Sequence, residues 1–97
     1  MELKKQRFEE AIELCQQRFD SVVDNGTDEE LFLSSYLCGH FDLIVGQAFL
    51  QQNYSLEDVN IKVLESVNAA SGDDNLSEDE LDQIIELWSQ LYRNACI

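Results

Sequence analysis

The chain has 97 residues, of which 44% are apolar, and its 20 acidic side chains against 6 basic ones give a net charge of −14. This is enough apolar material for one modest core, so a single domain over residues 1–97 is expected. The negative charge opposes direct binding to nucleic acid or to an anionic membrane. No apolar run approaches the roughly 20 residues of a membrane span, and the first ten residues lack a signal-peptide core. A cytoplasmic location is therefore expected.

The first helix is predicted over residues 3–23. Its apolar side chains are spaced alternately by four and three residues, which places them on one face of a helix. They are Phe8, Ile12, Cys15, Phe19 and Val22. The following Asp24-Asn25-Gly26 predicts the end of the helix, with Gly26 in the left-handed conformation.

The second helix is predicted to begin at a capping box, Thr27-x-x-Glu30, and to run to about Gln52. It is apolar on most sides, which is typical of a central helix surrounded by others. Gly39 and Gly46 each cost roughly 0.5–1 kcal/mol relative to alanine inside a helix. The favoured explanation is close approach by another helix backbone. A surface groove for a partner and simple tolerance are the alternatives.

The third and fourth helices show one apolar stripe each. Ser55 is the predicted cap of the third helix, and a second capping box, Ser77-x-x-Glu80, begins the fourth. Residues 70–75 between them have the composition of a loop. No segment alternates apolar and polar residues as a strand does. The expected fold is all-α: a four-helix up-and-down bundle or a close relative, with a long apolar second helix.

Two motifs resemble a known family. Asp28-x-Glu30-Leu31-Phe32 followed by Tyr36-Leu37-x-Gly39-His40 is similar to the central segment of the YfcL-like proteins, which are small bacterial proteins of unknown function. Leu76-Ser77 leading into Trp88-x-x-Leu91-Tyr92 is the second match. The resemblance implies a bacterial, cytoplasmic, helical protein, and it implies no reaction, cofactor or catalytic residue.

His40 is the single histidine and the first candidate for a functional side chain. On a helix, Cys38 and Asp42 point to roughly the opposite side, so neither a metal site nor a Cys–His pair is expected there. A half-buried histidine bonded to a neighbouring helix or to Tyr36 is one interpretation, and a polar contact in a partner groove is another. General acid–base catalysis is the third. The candidate partner-binding residues are Tyr36, Gly39, His40, Asp42 and Gln47.

No cofactor or metal is expected from the remaining motifs. Cys15, Cys38 and Cys96 have neither metal-site spacing nor an even count, and Cys96 is expected to be an exposed thiol. The acidic segment from Asp73 superficially resembles a calcium loop, but its sixth and twelfth positions are Glu78 and Ile84 instead of Gly and Glu. Glycine-rich nucleotide loops are absent from the sequence.

Three functions stay open. The first is a small protein-binding or accessory module that docks through its acidic surface, the Tyr36–Gly39–His40 region, or both. Its unidentified protein partner would have a basic surface, and a homodimer is the alternative way to cover the apolar second helix. The second is an acidic decoy that imitates nucleic-acid phosphates. The third is an enzyme centred on His40, which needs further groups from other helices.

Overall fold

The computed structural model describes residues 2–95, with side chains from residue 3; Cys96 lies outside the described residues. Four helices follow one another along the chain: α1 (Glu2–Asn25), α2 (Asp28–Leu50), α3 (Leu56–Ser71) and α4 (Glu78–Ala95). Residues 2–95 contain no strand, and the predicted all-α fold class is confirmed. No helix within this range is both long enough and apolar enough to span a membrane.

Both predicted capping boxes are present. The Glu30 amide donates to Thr27 Oγ1 at 3.2 Å, and the Thr27 amide donates back to the Glu30 carboxylate at 3.4 Å. The same exchange joins Ser77 and Glu80 at 3.1 and 3.0 Å. Each box satisfies two of the backbone N–H groups that a helix start leaves without partners, and so fixes where α2 and α4 begin.

The predicted left-handed conformation of Gly26 is wrong. Among the described residues no glycine has a positive φ; that conformation occurs instead at Gln52 (φ 55°) and Asn75 (φ 56°), in the joints after α2 and α3. Gly26 has a different role, because its amide donates to the Val22 carbonyl at 2.8 Å. A Cβ at Gly26 would lie 2.7 Å from that oxygen, so the position requires glycine for close backbone approach.

The core lies between all four helices, and α2 packs against each of the other three. Trp88 of α4 and Phe41 of α2 are almost fully buried, with ring centroids 5.6 Å apart. The indole N–H of Trp88 donates to the Asn60 side chain of α3 at 2.7 Å, which satisfies the one polar atom of this buried ring. The contact between α2 and α4 therefore lies in the centre of the core.

The prediction that other helices surround α2 is wrong on one side. Leu37 and Phe41 are fully buried, but Phe32, Leu43 and Leu50 are 49%, 62% and 86% exposed. The glycines are exposed as well, and among the described residues a Cβ at Gly39 or Gly46 would meet no atom within 4 Å beyond the adjacent backbone of α2. Close approach by another helix of this chain therefore does not explain them. Three neighbouring helices cannot cover the whole circumference of α2.

Charge is distributed unevenly along the bundle. Residues 24–30 and 73–82 hold ten acidic residues and no Lys or Arg. They lie at the same end of the molecule, because Glu30 and Asp82 line one groove there. Near this end the Tyr36 hydroxyl donates to Asp74 at 2.7 Å. At the other end Lys5 Nζ lies 5.8 Å from the Tyr54 ring centroid. We call the first region, residues 24–30 and 73–82, the acidic end. A weak contact between Arg93 and Glu86 at 4.0 Å is the single salt bridge among the described residues, so most of this charge is uncompensated.

Candidate functional site

One side of α2 forms a continuous surface that no other helix of the chain covers. Its residues recur at intervals of three and four, which is the spacing of one helix face. We call it the open face, and its residues are Phe32, Ser35, Gly39, Leu43, Gly46 and Leu50, all of them exposed. The large side chains stand at positions 32, 43 and 50, and the other three residues of the face are small.

Single exposed apolar residues are common on protein surfaces, but a contiguous row is informative because it usually marks a contact site. Phe32, Leu43 and Leu50 recur along more than four turns of the same helix face. The glycines add to this, since nothing inside the chain requires them and each lowers helix stability. A helix backbone from outside can approach closely along such a face.

Two of the sequence-predicted residues, Tyr36 and His40, border the open face toward α3. Both are half-buried, and their rings are 4.9 Å apart. Nδ1 of His40 is hydrogen-bonded to the Ser66 hydroxyl at 2.7 Å. This geometry matches the interpretation of His40 as a half-buried side chain tied to a neighbouring helix. Burial, together with the hydrogen bond and negative charge of Asp74, raises the pKa of Tyr36 to about 12.

The other three predicted residues are exposed on or beside the open face. Gly39 is part of the face itself, Gln47 lies two helix turns beyond His40 on the same side, and Asp42 lies toward α1. Asp42 accepts a hydrogen bond from the Cys38 thiol at 3.6 Å. Burial, and then the negative charge of Asp42, raises the pKa of Cys38 to about 11. The thiol therefore stays protonated near neutral pH, which makes it a poor nucleophile.

The His40–Ser66 pair has one feature of a nucleophilic site, a hydroxyl within hydrogen-bonding distance of a histidine. Both residues lie in the interior of helices, however, at positions where the backbone N–H groups bond to carbonyls of the preceding turn. Those amides cannot form an oxyanion hole beside Ser66. Among the described residues, no group of three or more His, Cys, Asp or Glu side chains could hold a metal ion.

Sequence reasoning missed four residues of this region. Ser66 carries no motif, so only the packing of α3 against α2 could identify it as the partner of His40. The sequence of α2 is apolar on most sides and predicts a surrounded helix, so it does not distinguish Phe32, Leu43 and Leu50 as exposed. The useful signal was that same excess, since a helix without a polar face has more apolar surface than its neighbours can cover.

Comparison with known proteins gives the chain a family. The family model described as YfcL protein matches residues 6–93. The chain belongs to the YfcL family. It is 32% identical over 76 residues to the uncharacterized protein YfcL of Escherichia coli (strain K12), an alignment covering 78% of this chain and 83% of that protein. No solved structure matches the chain. The predicted resemblance is thus confirmed.

Proposed function

We propose that this YfcL-family protein is a helical protein-binding module that docks through the open face of α2. The observation that carries the proposal is the row formed by Phe32, Leu43 and Leu50, which are 49%, 62% and 86% exposed on one helix face. Leaving such side chains in water is unfavourable by about 1.5–3 kcal/mol for each that a partner could bury fully. Tyr36, His40 and Gln47 supply polar contacts along one edge.

The occupant is a helix of a different protein, with basic residues beside its apolar face. Asp28, Glu29 and Asp42 of α2 lie around the open face, and α2 contains no Lys or Arg, so the charges there favour a cationic partner. A second copy of the chain is disfavoured, because each copy brings a net charge of −14 to the contact. The cytoplasmic location expected from the sequence stays a prediction and is part of this proposal.

A pull-down with matched variants tests the proposal. The double variant Leu43→Ser/Leu50→Ser removes apolar surface from the open face, and Val23→Ser/Ile61→Ser removes similarly exposed residues from α1 and α3. We expect a partner retained at moderate salt by the wild-type chain and the control pair but lost with the open-face pair. Equal retention by all three proteins would contradict docking through this face. If the purified wild-type protein, measured alone by sedimentation, has twice the mass of one chain, a homodimer is identified instead.

The acidic end favours a second candidate, a decoy that imitates nucleic-acid phosphates. Ten acidic residues without a Lys or Arg among them form one end of the molecule. A decoy binds its target through charge alone, so its affinity falls steeply with salt and DNA competes with it. An apolar helix contact survives moderate salt, and the same pull-down at two salt concentrations separates the two functions.

A further inference from the structure

A groove of about 500 Å³ lies between α1, α2 and α4, beside the acidic end and away from the open face. Its apolar lining comes from one residue of each helix: Leu33 is buried, and Val22 and Leu87 are half-buried. Three exposed carboxylates, those of Glu30, Asp82 and Glu86, also line it. Grooves of roughly 300–1,000 Å³ with apolar walls and a few polar groups are the usual form of a ligand site.

The charges around the groove determine what it can accept. Glu86 accepts a hydrogen bond from the Gln90 side-chain amide at 3.2 Å and makes a weak 4.0 Å contact with Arg93, and its side chain stays more than half exposed. Glu30 serves the Thr27 capping box but stays open to solvent. A separate cavity of about 110 Å³ shares Val22, Leu87 and Gln90 with the groove and is also lined by Arg18, which places positive charge on that side. A ligand therefore meets negative charge at the acidic end and apolar surface beside it.

We infer that the groove between α1, α2 and α4 binds a basic peptide segment of another protein, with an apolar side chain on Val22, Leu33 and Leu87 and Lys or Arg side chains at Glu30, Asp82 and Glu86. Charge complementarity commits the site to this occupant, because an anionic or neutral segment gains nothing from the three carboxylates. The site is separate from the open face, so neither proposal depends on the other.

The test uses two synthetic peptides as probes, one of lysine and leucine and one in which serine replaces every leucine. Binding is measured by fluorescence anisotropy at physiological salt, and amide chemical shifts locate the site. We expect the leucine peptide to bind about tenfold more tightly or better, because one buried leucine contributes that much. Equal affinities would show a pure charge effect, as a decoy predicts, and would overturn the proposal. Shifts centred on Val22, Leu33 and Leu87 support it, and shifts centred elsewhere overturn it.

Matched charge variants on the same helix provide the control. Asp82→Asn/Glu86→Gln removes two carboxylates from the groove, whereas Glu78→Gln/Asp79→Asn removes two from the exposed first turn of α4. We expect the groove pair to weaken binding of the leucine peptide about fivefold or more and the control pair less than about twofold. Equal losses would overturn the proposal.

Two further measurements separate this site from its alternatives. Leu43→Ser/Leu50→Ser should leave peptide binding unchanged; a loss there would place the peptide on the open face and overturn the groove site. The basic start of α1, with Lys4, Lys5 and Arg7, makes a second copy the other possible occupant. Self-association in sedimentation velocity that the groove pair abolishes would identify that copy as the occupant and overturn the proposal.

Discussion

Replacing Gly39 and Gly46 by alanine should stabilise the protein, which is the reverse of what a packed helix contact would give. A Cβ at either position meets nothing within 4 Å, and both positions are exposed inside a continuous helix. The gain is then the helix propensity of alanine over glycine, about 0.5–1 kcal/mol for each substitution. The two sites are two turns apart, roughly 10 Å along the axis, so the gains should add to about 1–2 kcal/mol.

Urea unfolding followed by far-ultraviolet circular dichroism measures this change. For a domain of this size, 1 kcal/mol also corresponds to a rise of about 4–8 °C in melting temperature. Gly26→Ala is the matched control of opposite sign, because its Cβ would lie 2.7 Å from the Val22 carbonyl oxygen and 2.8 Å from Val22 Cγ1. We expect that variant to lose about 1 kcal/mol or more. A loss of stability in Gly39→Ala or Gly46→Ala would refute the open face.

Three other predictions follow from individual contacts. Asn60→Ala should lower the free energy of unfolding in urea by about 1–3 kcal/mol, because the buried indole N–H of Trp88 loses its acceptor. Asn68→Ala on the exposed side of α3 is the control, and equal losses in the two variants would refute this prediction. The pKa values of Tyr36 (about 12) and Cys38 (about 11) exceed their ordinary values of 10.0 and 9.0, so the unfolded chain releases these protons first. Their contribution to the free energy of unfolding is therefore complete below about pH 9 and is lost as the pH rises toward 11–12. Tyr36→Phe should make the free energy of unfolding fall less steeply between pH 8 and pH 11. The same fall in the variant as in the wild type would contradict this prediction. Asp42→Asn removes a negative charge that raises the pKa of Cys38, so alkylation of Cys38 at neutral pH should become about threefold faster or more. The rate is measured at the Cys38 peptide by mass spectrometry, and the control variant Glu29→Gln should leave it unchanged.

The sequence predicts the helices well because their local signals are strong and agree with one another. The Thr27–Glu30 and Ser77–Glu80 capping boxes each join residues three apart in sequence. They therefore mark the start of a helix without any knowledge of how the helices pack. The regular spacing of Phe8, Ile12, Cys15, Phe19 and Val22 likewise identifies the buried face of α1, where the first four are buried and Val22 is half-buried.

The α2 surface could not be predicted because it depends on how four helices share one core. A sequence in which apolar residues occur on every side of a helix does not say which side the neighbours leave uncovered. Gly39 and Gly46 are equally ambiguous in the sequence, because a glycine inside a helix can lie against another helix or be exposed to solvent. A half-buried His40 bonded to a neighbouring helix is one of three interpretations that the sequence leaves open, and identifying Ser66 as its partner requires the register between α2 and α3.

Site-specific photo-crosslinking in cells shows whether another protein covers the open face of α2. Benzoylphenylalanine replaces Leu43 on the open face or, as the control, Val23 on α1, whose side chains are 62% and 65% exposed. If another protein docks on the open face, position 43 should give a discrete crosslinked species of higher mass that is absent at position 23. No crosslinked species at position 43, or the same species from both positions, would contradict it.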